Sequence, residues 1–126
     1  MPKQKPAPPC PAKASLKQRP RMTPPQATAL EALFEVLAND TRLRLLHEIA
    51  ARDEVCTVDL AAAMEMKPQA VSNQLQRLQD KGIVAGRRSG NNVFYRIVDR
   101  CVVVLLERGL CLMEENAKRA SVQPIS

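Results

Sequence analysis

The stretch from Thr57 to Gly82 constrains the fold of this chain more than any other. Thr57 is suited to cap a short helix running from Val58 to Met64, because its hydroxyl can accept from the free N–H groups of the first turn while Asp59 complements the helix dipole. Glu65-Met66-Lys67 breaks the pattern. Pro68 then opens a longer helix in which Val71, Leu75 and Leu78 recur four and three residues apart, and Gly82 supplies the left-handed residue that ends it after Lys81. A short helix, a three-residue turn and a longer helix make a helix-turn-helix.

The flanks fit the same reading. Leu30, Leu33, Phe34 and Leu37 lie at the spacing of one helix face, with Pro24 and Pro25 in its first turn. Asn39-Asp40 interrupts, and Asp40 is placed to cap a second helix carrying Leu45, Leu46 and Ile49. Beyond Gly82 the period changes. Residues 83–88 and 93–98 are short β-prone runs joined by Ser89-Gly90-Asn91-Asn92, which predicts a hairpin. A last helix, capped by Asp99, is expected to reach about Lys118. From Cys101 to Met113 only Glu107, Arg108 and Gly109 interrupt its apolar residues, more than one small core can cover, so a second copy is expected on its other face. The expected fold is mainly α with a small β-hairpin, a winged helix-turn-helix in the order α-α-α-α-β-β-α, forming a homodimer through its terminal helices. Residues 1–22 read as a disordered basic tail rich in proline, 23–119 as the DNA-binding and dimerisation domain, and 120–126 as a flexible end.

Charge sharpens the functional reading. The net +6 is accounted for by residues 1–22, where Lys3, Lys5, Lys13, Lys17, Arg19 and Arg21 meet no acid, and eight of the ten prolines fall in the first 25 residues. The remaining 104 residues balance 13 against 13, yet Lys67, Arg77, Lys81, Arg87, Arg88 and Arg96 face only Asp80 between residues 67 and 97. A local excess of this kind on a helix-turn-helix and hairpin is what double-stranded DNA requires. Gln69, Ser72, Asn73 and Gln74 occupy the first turns of the longer helix, where side chains meet base edges, and Lys67 stands at its start. Arg77 is placed for phosphate, and Arg87, Arg88 and Arg96 put charge on the wing. No Gly-rich phosphate loop, nucleophile elbow or two-His metal motif supports an enzyme. No apolar run approaches the ~18 residues of a membrane span and no secretory h-region opens the chain, so a cytoplasmic protein with no membrane partner and no organic cofactor is expected.

The run Leu37-Ala38-Asn39-Asp40-Thr41-Arg42-Leu43-Arg44-Leu45-Leu46, followed by Val58-Asp59-Leu60-Ala61, Gln69-Ala70-Val71-Ser72-Asn73-Gln74-Leu75-Gln76-Arg77-Leu78, Gly82-Ile83-Val84 and Phe94-Tyr95-Arg96-Ile97, resembles the ArsR/SmtB family of winged-helix metal-sensing repressors across about residues 27–116. The resemblance implies a dimeric repressor that leaves operator DNA when an inducer, commonly a metal ion, binds. It also implies where that ion sits. The family's thiolate pattern at the third helix corresponds to Glu54-Val55-Cys56-Thr57-Val58-Asp59-Leu60, which keeps one of its two cysteines as Cys56. Arm cysteines complete that site in some members, and Cys10 stands in the corresponding arm. The family's zinc site on the last helix maps to Asp99, Cys101 and Glu115, with Leu112 in place of a histidine.

Cys10, Cys56, Cys101 and Cys111 are therefore the candidate metal ligands, Cys56 foremost, with Asp99 and Glu115 as candidate oxygen ligands. Their wide spacing forms no disulfide framework, and they are expected to stay as thiols. Within one helix Cys101 and Cys111 stand about 15 Å apart, so they meet only across an antiparallel pair. His47, the one histidine, reads as structural. A donor set of thiolates without histidine favours a soft ion, Hg(II) or As(III) before Cd(II) or Pb(II). Two rival readings are a repressor that senses oxidants or reactive sulfur through its thiols, and a constitutive DNA-binding or architectural protein with inert cysteines.

The basic tail generates one prediction. Deleting residues 1–22 flattens the dependence of DNA affinity on salt concentration, because fewer counterions are released on binding. Fluorescence anisotropy over a salt series checks it, and an unchanged slope means that the tail does not touch DNA.

Overall fold

In the computed structural model residues 14–122 are described. The elements run α1 (Pro24–Leu37), α2 (Asp40–Arg52), β1 (Val55–Cys56), α3 (Thr57–Met64), α4 (Pro68–Asp80), β2 (Val84–Ser89), β3 (Asn92–Ile97) and α5 (Arg100–Val122). The fold is the mainly helical winged helix-turn-helix expected. Residues 1–13 of the expected tail, Cys10 among them, and residues 123–126 of the expected flexible end lie outside the described residues. Within 14–22, a turn closes on Ser15, whose carbonyl accepts from the N–H groups of Gln18 and Arg19 at 3.0 and 3.1 Å.

The helix ends follow from their capping chemistry. Thr23 forms a capping box with Gln26 ahead of Pro24 and Pro25. For α2 the cap is Asn39, whose side-chain oxygen accepts from the Arg42 N–H at 3.0 Å, and the expected Asp40 is instead the first helical residue, where its charge meets the dipole. Thr57 is likewise helical rather than capping. Cys56 takes the N-cap position of α3 without a side-chain bond, because Val55 and Cys56 are drawn into a strand. Helix α3 ends on Glu65 in the left-handed region, and α4 ends ahead of Gly82 at φ +72°, whose N–H reaches the Gln79 carbonyl at 2.9 Å while that of Ile83 reaches Leu78 at 3.0 Å.

The expected hairpin is present, and it is part of a larger sheet. β1 adds to it in the order β1-β3-β2, with Val55 opposite Tyr95 and Cys56 opposite Phe94. This third strand fixes the wing to the turn ahead of α3. Gly86 permits close approach on the hairpin, since a Cβ there would lie 3.0 Å from both the Tyr95 ring and a Val93 methyl.

The core is drawn from α2 (Leu45, Leu46, Ile49), α3 (Leu60, Ala61, Met64), α4 (Val71, Leu75, Leu78) and the strands (Val55, Val84, Ile97), closed by Leu37 and Ile83. Among the described residues no polar or charged side chain is buried with it. Helix α5 contributes only a margin, Val102, Val103, Leu105 and Leu106, and leaves Val104, Leu110, Leu112 and Met113 exposed. It runs on to Val122, past the expected Lys118. Leu75 is fully buried at the centre of the core. Leu75→Ala therefore costs about 3 kcal/mol in urea denaturation, and a loss below about 1 kcal/mol would show that α4 is not held by this packing.

Candidate DNA interface and thiol positions

Burial on one side of α4 determines what its other side presents. With Val71, Leu75 and Leu78 facing inward, Gln69, Asn73, Gln76, Arg77 and Asp80 are exposed, while Ser72 and Gln74 are half-buried on its shoulders. Gln69 Nε2 donates to Asn73 Oδ1 at 3.0 Å, and Gln76 Nε2 to Asp80 Oδ1 at 2.8 Å. Lys67 is the exposed N-cap residue of α4. Gln74 differs from its neighbours. Its side-chain oxygen accepts from Arg42 Nη1 of α2 at 2.9 Å, and Arg42 Nε also donates to the Val36 carbonyl at 2.6 Å.

On the wing, alternation separates Arg87 from Arg88 onto opposite faces of β2. Arg88 is exposed opposite Val93, and Arg96 is half-buried opposite Ala85. Arg87 pairs with Glu54 through two parallel bonds, Nε to Oε2 at 2.9 Å and Nη2 to Oε1 at 2.6 Å, and its guanidinium lies 5.0 Å from the centre of the Phe94 ring. The hydrogen bond to Glu54 raises the Arg87 pKa, with the charge of Glu54 adding to it and burial opposing it. This pair ties the wing to the turn between α2 and β1. Sequence reading missed both Glu54 and Arg42, since each partner lies more than thirty residues along the chain.

The thiols are dispersed. Cys56 is a free cysteine, only 6% exposed, at the start of α3 and opposite Phe94. Cys111 is free and exposed on α5. Cys101, half-buried in the first turn of α5, is disulfide-bonded rather than the expected thiol. Spacing along the chain sets no limit on such a bond, which requires only that folding bring two Cβ atoms to about 4 Å. Asp99 accepts from the Cys101 N–H at 2.7 Å, and Glu115 lies 3.5 Å from Lys118 Nζ. His47 is exposed on α2. Among the described residues no three His, Cys, Asp or Glu side chains gather closely enough to hold an ion, and no helix is long and apolar enough to cross a membrane.

A helix-turn-helix with its reading helix turned outward, followed by a basic antiparallel wing, defines a winged-helix DNA-binding protein. A MarR family model matches residues 39–92, the span from the α2 cap to the start of β3. The structure of the antimony-specific transcriptional repressor AntR is similar at a TM-score of 0.73 and 57% identity, covering 86% of this chain and 98% of that one. A transcriptional repressor SmtB homolog of Synechocystis sp. is 44% identical over 80 residues, 64% of this chain and 60% of the relative, so the chain spans under two thirds of that protein's length. The homodimeric winged helix-turn-helix domain Mb0332 of Mycobacterium bovis, described as a possible ArsR-family regulator, matches at 27% identity and a TM-score of 0.66, over 82% of this chain and 91% of that one. The chain belongs to the ArsR/SmtB family of transcriptional regulators.

Burial of Cys56 makes a prediction about its reactivity. In the reduced chain a maleimide labels Cys56 more than about 100-fold more slowly than after unfolding in urea, because the thiol is reached only through local opening. Peptide mass spectrometry reads the two rates, and equal rates would contradict the buried placement.

Proposed function

We propose that the chain is a metal-responsive repressor that holds operator DNA as a homodimer and releases it when a soft thiophilic ion is bound by its cysteines. The likeness to the antimony-specific repressor, over nearly all of that protein, carries this reading and adds Sb(III) to As(III) as the foremost inducers, ahead of Hg(II), Cd(II) and Pb(II). The donor chemistry agrees, since thiolates without a histidine cluster suit soft ions better than a tetrahedral zinc site.

In this reading Lys67, Gln69, Ser72, Asn73, Arg77, Arg87, Arg88 and Arg96 form the DNA-facing set, and Gln74, named with them from the sequence, stands apart from it because its side chain is tied to α2. Arg87 is committed to Glu54, so Arg88 and Arg77 supply the more accessible charge. The dimer forms over the exposed residues of α5 and α1, where Leu30, Phe34, Val104, Leu110, Leu112 and Met113 lack cover in one chain; the homodimeric relative supports a two-chain assembly. Cys101 of one copy and Cys111 of the other share an ion across the antiparallel α5 pair once Cys101 is reduced, with Asp99 and Glu115 as oxygen donors nearby. Cys56 and Cys10 form the other candidate set. Either set weakens DNA binding only through a difference in ion affinity between the free and DNA-bound arrangements.

The disulfide at Cys101 favours a second reading, in which oxidation at this position changes DNA affinity without a metal. One experiment separates the two. The reduced chain is bound to a fluorescent duplex from the promoter preceding its own gene and titrated with Sb(III), As(III), Hg(II), Cd(II), Pb(II) and Zn(II). The proposal expects Sb(III) or As(III) to weaken binding by about 10-fold or more, an effect lost in Cys101→Ser or Cys111→Ser, or in Cys56→Ser if the third-helix set is used. Release by a thiol oxidant and restoration by dithiothreitol, with every ion silent, would establish the redox reading instead. Binding unmoved by ions and oxidants alike contradicts both.

A further inference from the structure

We infer that Arg42 is the positioning residue of the reading helix and that Gln74 is its anchor, not a base-reading side chain; the inference rests on the proposed DNA-binding function. Three helices meet at one guanidinium. Arg42 lies in the first turn of α2, and its own backbone is fixed because its N–H donates to the cap residue Asn39. From there Nε reaches the Val36 carbonyl of α1 and Nη1 reaches the Gln74 side-chain oxygen of α4.

The bond to Val36 completes the end of α1. A helix leaves its last four carbonyls without partners inside it. Here those of Phe34 and Glu35 accept from the Ala38 N–H, that of Leu37 accepts from Asn39, and that of Val36 accepts from Arg42. One rigid plane therefore satisfies a carbonyl of α1 and grips α4 with a second arm. Because the guanidinium cannot flex between Nε and Nη1, the two acceptors are held in a set relation, which a lysine with a single flexible ammonium cannot reproduce.

The consequence for Gln74 follows from its hydrogen-bonding needs. Reading adenine takes the amide oxygen and amide nitrogen together, both aimed into the groove. The Gln74 oxygen is turned toward α2 instead, and the residue is half-buried, whereas Gln69 and Asn73 are exposed and bonded to one another. Arg42 thus orients α4 relative to α1, the helix that carries the uncovered Leu30 and Phe34.

The test uses Gln74→Glu, Gln74→Met, Arg42→Met and the double variant in the full reduced chain. Each protein selects duplexes from a randomised pool, and affinities for the selected and an unrelated duplex are compared. Gln74→Glu preserves the tie as an ion pair and leaves the selected sequence unchanged. Arg42→Met lowers affinity for the selected duplex by about 10-fold while leaving the unrelated duplex unaffected, and adding Gln74→Met makes it no worse. Thermal melts of the same set without DNA show the two substitutions to be non-additive. A changed base preference in Gln74→Glu, wild-type selectivity in Arg42→Met, or additive melting effects would overturn the inference. If the wild-type chain selects no sequence, the DNA-binding reading itself fails, and the melts still decide whether Arg42 and Gln74 act as a pair.

Discussion

Burial of Val71, Leu75 and Leu78 is the contact on which the rest of the molecule depends. These three side chains are fully enclosed by α2, α3 and the strands, so the rotation of α4 about its axis is set by packing. Interiors packed at crystal-like density resist such rotation strongly. The opposite face of α4 is consequently outward whatever its residues are, so the core places no constraint on the polar side chains there. The Arg42 contact to Gln74 adds direction to this anchoring, and the Glu54–Arg87 pair does the same for the wing. Both polar ties are partly solvated and each contributes far less stability than the core. Their importance is geometric.

The terminal helices stand in a different energetic position. Leu37 is the only residue of α1 that is buried, and α5 has no fully buried side chain among its described residues. Elements held so lightly within one chain can change their arrangement at small cost, as a switch requires, while the core that carries the reading helix stays intact. The cysteines are distributed accordingly. Cys101 and Cys111 lie on α5, and Cys56 lies where β1 passes into α3, next to Phe94 of the wing. In the proposed function, chemistry at these positions acts on the frame around α4 and not on α4 itself.

What could be read from the sequence was whatever depends on local pattern. The spacing of Leu45, Leu46 and Ile49, and of Val71, Leu75 and Leu78, defined both helices and their buried faces, and Pro68 and Gly82 bounded the reading helix. The missing features depend on contacts between distant segments. β1 is two residues long, too short for any period to show, and exists because Val55 and Cys56 pair with β3. That pairing is also what moves the start of α3 to Thr57. The choice between Asn39 and Asp40 as cap was a matter of one residue, decided by backbone geometry. The residues proposed to face DNA form a basic, polar set in the sequence, but the bonds that divide the set, Gln74 to Arg42 and Arg87 to Glu54, span 32 and 33 residues.

If α4 is the fixed reading element and a second copy covers α5, two α4 helices address one duplex together. Hydroxyl-radical footprinting of the reduced full chain on its promoter duplex tests this directly. The account predicts two protected patches on one face of the DNA, related by a twofold axis and about one helical turn apart. A single protected patch, made by one chain on the duplex, would contradict it.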